Sequence, residues 1–66
     1  MILVNKKTGS RLWKGDRVTT FRGEHGRLTG MTPPHKPSST GRVYVEIGKT
    51  SHEFFPSVVG AEWRLT

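Results

Sequence analysis

Turn-forming residues recur at Gly9, Gly15-Asp16, Gly23, Gly26, Gly30, Pro33, Pro34, Pro37, Gly41, Gly48 and Gly60, leaving only short segments between them. Short segments bounded by such breaks read as strands, and strands in that rhythm predict a small barrel or sandwich. The composition points the same way. One alanine, no glutamine and four leucines stand against eight glycines, eight threonines, six valines and four prolines. Good helix formers are scarce and β-branched residues abundant, and no stretch sustains the i, i+3, i+4, i+7 apolar spacing of a helix. The expected class is all-β, in one domain spanning residues 1–66.

Ile2-Leu3-Val4 reads as a first strand, with a polar turn at Asn5-Lys6-Lys7-Thr8-Gly9 and a returning hairpin arm at Arg11-Leu12-Trp13. After Gly15-Asp16, period-two alternation puts Val18 and Thr20 on one face and Arg17, Thr19 and Phe21 on the other. A bulge near Gly23 would instead bury Phe21. Gly23-Glu24-His25-Gly26 reads as a hairpin turn into Arg27-Leu28-Thr29-Gly30-Met31. The clearest strand is Arg42-Val43-Tyr44-Val45-Glu46-Ile47, whose strict alternation predicts one dry and one wet face. Gly48-Lys49 is the next turn and His52-Glu53-Phe54-Phe55 the partner strand, ended by Pro56, which has no N–H for the ladder. Pro56-Ser57-Val58-Val59-Gly60 predicts a single 3₁₀ turn. Ala61-Glu62-Trp63-Arg64-Leu65 then closes the domain, with Ala61, Trp63 and Leu65 facing inward.

The expected core is Ile2, Val4, Leu12, Val18, Leu28, Val43, Val45, Ile47, Phe54, Trp63 and Leu65. A chain of this length buries only about 60% of its unfolded surface, so a homodimer that covers a further edge or patch would add stability. Residues 32–41 break the pattern, with Pro33, Pro34 and Pro37 around His35 and Lys36, then Ser38 and Ser39. A Pro/Ser-rich loop this long in so small a domain is expected to be functional or mobile. The longest apolar run, Met1-Ile2-Leu3-Val4, is too short for a membrane span or a secretory signal. With zero cysteines there is neither a disulfide framework nor a thiolate site, and a cytoplasmic setting is expected.

Eleven Lys and Arg against five Asp and Glu leave a net charge of +6. A solubilising surface carries such a charge, and so does an electrostatic footprint for phosphate backbones. The interleaving of Arg with aromatic rings favours the second: Arg17 with Phe21, and Arg42 with Tyr44, share outward faces. Guanidinium groups contact phosphate while rings stack on bases. The expected nucleic-acid or partner surface therefore comprises Arg17, Phe21, Arg22, Arg27, Arg42, Tyr44 and Lys49, with His35 and Lys36 on an adaptable rim. The alternative is a protein-recognition module whose exposed groove, lined by Tyr44, Trp13 or Phe21, accepts an extended peptide, or whose open edge strand pairs with one.

No catalytic constellation stands beside this surface. His25, His35 and His52 lack the spacing of a metal pair, so no metal and no cofactor is expected. Ser51-His52-Glu53 juxtaposes three catalytic residue types, but strand neighbours point to opposite faces and form no relay. Neither a dinucleotide fingerprint nor a P-loop occurs.

Short strands, a long loop and a helical turn before the last strand resemble a five-stranded SH3-like barrel. Lys14-Gly15-Asp16-Arg17-Val18 followed by Gly26-Arg27-Leu28-Thr29-Gly30 is similar to the opening of ribosomal and transcription-factor modules of the KOW type. Phe21-Arg22-Gly23-Glu24, Ser39-Thr40-Gly41-Arg42-Val43-Tyr44-Val45 and Phe54-Phe55-Pro56-Ser57-Val58 resemble small phage- or prophage-encoded proteins. That origin would imply host cytoplasm and an acidic host-protein surface as a natural alternative partner. Gly15-Asp16-Arg17-Val18 also resembles the opening of plasmid-borne type II dihydrofolate reductases, SH3-like tetramers with a shared pore. Their active-site strand reads Val-Gln-Ile-Tyr-Pro, where this chain has His52-Glu53-Phe54-Phe55-Pro56. Glu53 replaces the neutral glutamine with a carboxylate that symmetry would crowd in fours. Phe55 lacks the tyrosine hydroxyl, and Thr20 stands where the family has its substrate-binding lysine. The expectation is a non-enzymatic binding module.

Overall fold

The alternation of Arg42–Ile47 becomes an inner strand of a four-stranded sheet, with Val43 and Val45 fully buried and Glu46 exposed. The computed structural model describes residues 1–36 and 38–65; Pro37 of the expected loop lies outside the described residues. Six strands form: β1 (Ile2–Asn5), β2 (Arg17–Thr19), β3 (His25–Thr32), β4 (Arg42–Ile47), β5 (Thr50–Phe54) and β6 (Ala61–Arg64), with a 3₁₀ turn at Pro56–Val59. The chain is all-β, and the 3₁₀ turn precedes the last strand as expected. The strand count and the closure differ from expectation: the strands divide into two antiparallel sheets, β1-β6 and β2-β3-β4-β5, and not into one closed five-stranded barrel. The residues before Gly23 make a short strand of their own against β3. The expected arm at Arg11 reduces to a single bridge with Val4. Among the described residues no helix is long and apolar enough to cross a membrane.

Leu3, Val18, Leu28, Val43, Val45, Val59 and Ala61 form one core cluster that joins both sheets and the 3₁₀ turn. Leu12, Met31, Ile47, Phe54 and Trp63 pack against it. Leu28 and Met31 both reach this core because a bulge between Leu28 and Gly30 shifts the β3–β4 register; the extra residue re-aims the strand. Two core expectations are corrected. Leu65 is 84% exposed, since β6 ends at Arg64. In β1 it is Leu3 and Val4 that are buried, while Ile2 is only half-buried. Successive strand residues point to opposite faces, so β1 is covered on both sides there and shows no alternation to read. Val18 and Thr20 are buried and Arg17, Thr19 and Phe21 exposed, which is the alternation reading and not the bulged one. The expected turn residues His25 and Gly26 belong instead to β3, and the hairpin turn lies at 20–24.

Candidate functional site

Register places the outward side chains of the four-stranded sheet in rows. Arg17 lies opposite Arg27, which lies opposite Glu46 and then Ser51. The next row toward the 32–41 loop runs Gly30, Tyr44, Glu53, and the last pairs Thr32 with Arg42. On the other side of the Arg17 row, Thr19 faces His25, with the threonine hydroxyl 3.2 Å from Nδ1. Arg17, Arg27, Arg42 and Tyr44 therefore share one face, as the alternation predicts, but not one end of it. The Arg27 row, at Glu46, and the Arg42 row lie four positions apart along β4, about 13 Å at strand rise. The turn at 20–24 and the Gly48-Lys49 turn project from the same end as His25, because β3 starts where β4 stops. Phe21, Arg22 and Lys49 join Arg17 and Arg27 at that hairpin end. His35 and Lys36 lie in the loop that joins Thr32 to Arg42, at the opposite end.

The cations at the two ends differ in what holds them. Arg42 sits in a ring of its own protein: Nε is 3.6 Å from Glu53 Oε2, one terminal N–H donates to the Gly41 carbonyl at 2.8 Å, and the guanidinium lies 4.3 Å from the Phe55 ring centroid. Tyr44 lies opposite Gly30, and its hydroxyl pairs with Thr32 at 3.2 Å. Both are half-buried and engaged. At the hairpin end, Arg17 and Arg27 are exposed, and neither is in an ion pair; the ion pairs among the described residues are Arg42–Glu53 and Arg64–Glu62, both elsewhere. Arg27 donates one hydrogen bond to the Gly15 carbonyl at 3.1 Å, which fixes its guanidinium without neutralising it.

Several concavities mark the surface. A shallow depression is lined by Arg17, His25, Gly26, Arg27, Glu46 and Gly48. A second is lined by Lys6, Lys7, Thr19 and Phe21 together with residues 57–60. Phe21 is 75% exposed and carries the Arg22 guanidinium 5.6 Å from its centroid. A third and larger groove, about 690 Å³, is mostly apolar, with Pro34, Phe55, Pro56, Ala61 and Trp63 in its walls. Trp13, exposed beneath Arg11 at 3.9 Å, lines a fourth depression with Leu12, Lys14, Met31 and Trp63.

Lys6, Lys7 and His25 are the residues that sequence reasoning left out of the surface. The pairing of β1 with β6 continues past Asn5, where the Lys6 N–H donates to the Gly60 carbonyl at 2.8 Å, and so brings both lysines to the 3₁₀ turn. No local pattern reveals that juxtaposition. His52 turns inward and stacks on Phe54 at 5.4 Å, while Ser51 and Glu53 face outward. Among the described residues no three His, Asp or Glu side chains converge on a point that could hold a metal ion. In comparison with known proteins, the chain matches no family model, no curated protein and no solved structure.

Proposed function

We propose that this chain is a non-enzymatic module that binds nucleic acid at the hairpin end of its four-stranded sheet. The reading rests on one observation: Arg17 and Arg27 are direct cross-strand neighbours on an exposed face, and among the described residues neither is in an ion pair, although Glu46 stands across from Arg27 on β4. Like charges directly opposite one another destabilise a sheet. A polyanion relieves that repulsion, and its phosphates repay each cation with released counterions. His25 and Lys49 extend the same patch. Arg42 contributes to the architecture of the far end, where Glu53 already balances it. The pairing of first strand with last, and the 3₁₀ turn before the last strand, support an SH3-like arrangement opened between its two sheets.

Non-enzymatic function is supported by the fate of the three positions that differ from the reductase pattern. Glu53 is held by Arg42, Phe55 lies under the same guanidinium, and Thr20 is buried with its hydroxyl accepting from the Glu24 N–H at 3.2 Å. The test is a gel shift with labelled oligonucleotides at about 50 and 200 mM salt. Arg17→Ala should weaken binding across all sequences and reduce the salt slope by about one. Wild-type binding that ignores salt overturns the reading. The apolar groove beside Phe55 and Trp63 favours the second reading, a peptide-binding module; loss of all shift at about 50 mM salt would leave that one standing.

A further inference from the structure

Two depressions with cationic side chains in their walls, the second also holding the Glu46 carboxylate, meet at one residue pair. Thr19 lines the depression that holds Lys6, Lys7 and Phe21, and its hydroxyl is bonded to His25, which lines the depression that holds Arg17 and Arg27. β2 is the edge strand of its sheet and only three residues long, so little separates the two. Together they form a track from the β1 turn to the outer sheet face.

Phe21 sets what can follow that track. Its ring is 75% exposed, yet its position is set by the backbone: its N–H donates to the Val58 carbonyl at 2.9 Å, and the turn closes through Gly23 N–H to the Thr20 carbonyl at 2.9 Å. An outward aromatic ring on a turn anchored by its backbone, beside Lys6, Lys7 and Arg22, offers a stacking platform between phosphate contacts. A duplex hides its base faces inside its own stack, whereas a single strand presents them. We infer that the partner class is single-stranded nucleic acid, with one unpaired base on Phe21, its neighbouring phosphates on Lys6, Lys7 and Arg22, and the strand continuing past Thr19 and His25 to Arg17 and Arg27. This inference rests on the nucleic-acid reading above.

The experiment is fluorescence anisotropy with a labelled oligothymidylate of about 12 nucleotides, within the usual site-size range, its oligouridylate counterpart, and a duplex of equal length. Wild-type protein should bind the strands about tenfold tighter than the duplex. Phe21→Leu, which keeps an apolar side chain but removes the ring, should bind strand and duplex with equal affinity and keep its melting temperature. A strand of abasic sites probes the same contact on the wild-type chain, and should bind as weakly as the intact strand binds the variant. Equal affinity for strand and duplex, or an abasic strand bound as tightly as the intact one, overturns the inference and leaves the nucleic-acid reading intact. Failure of every probe to bind at about 50 mM salt overturns both.

Discussion

A methyl group on Gly26 would meet Val45 Cγ1 at 2.6 Å, the Glu46 carbonyl oxygen at 2.8 Å and Ile47 Cγ1 at 2.9 Å. Two of those three neighbours are core side chains and one is backbone, so none can withdraw cheaply. Gly26→Ala should therefore destabilise the fold by about 1–3 kcal/mol, measured by urea denaturation; unchanged stability would mean that β3 and β4 do not approach this closely. Gly26 was expected in a turn, because an isolated glycine near Gly23 reads as a break; in a strand the same residue marks a close approach. The opposite sign is expected one position away on the ladder. Arg17 opposes Arg27, and Arg17→Ala removes a like-charge pair, so it should leave the protein as stable or more stable, by up to about 1 kcal/mol, while weakening binding. A variant that loses stability and affinity together would show Arg17 to be a structural residue. Thr20 illustrates what alternation can and cannot convey. Its inward direction follows from period two, but the Glu24 contacts that satisfy its buried hydroxyl depend on the turn's own geometry.

Strands with one wet and one dry face were legible, and those covered twice were not. β4 could be read residue by residue from its alternation, and Pro56 and Gly60 bracket the 3₁₀ turn, with Gly60 left-handed at φ 65°. β1 could not, since Leu3 and Val4 are both 1% exposed. The 32–41 loop was legible as a long excursion but not in its attachments. Trp63 donates its indole N–H to the Thr40 carbonyl at 2.8 Å. Gly41, at φ +68°, brings its backbone so near the Thr32 carbonyl and the Trp63 ring that a side chain would overlap both. The far end of the loop is thus tied to β6, a strand more than twenty positions later (Thr40 to Trp63, 23 apart). Trp63→Phe keeps the ring's apolar bulk and removes that one donor. It should cost about 1 kcal/mol and speed amide exchange at 38–41 relative to β4. Equal exchange in variant and wild type would mean that packing, not the indole bond, holds the loop.

At the scale of the whole molecule, the question is whether binding follows total charge or its placement. The chain's net +6 attracts any polyanion from every side, and a surface of that charge needs no site to shift a gel. The fold nevertheless sorts its cations. Arg17, Arg22, Arg27 and Lys49 gather at the hairpin end, while Lys36 stands at the loop end, beyond an Arg42 already balanced by Glu53. Lys36→Glu and Lys49→Glu alter the net charge equally, and both replace exposed side chains, so neither should move the melting temperature by much. Screening confines each exposed charge to about 8–10 Å at physiological salt, less than the separation of the two ends. Lys49→Glu should accordingly weaken oligonucleotide binding several-fold at about 0.15 M salt, with Lys36→Glu close to wild type. The contrast should shrink as salt is lowered toward about 0.01 M, where the screening length reaches roughly 30 Å and the molecule acts as one charged body. Equal losses for both variants at physiological salt would mean that the cations act only in sum, and that the convergence of Arg17, Arg27 and Lys49 carries no binding role.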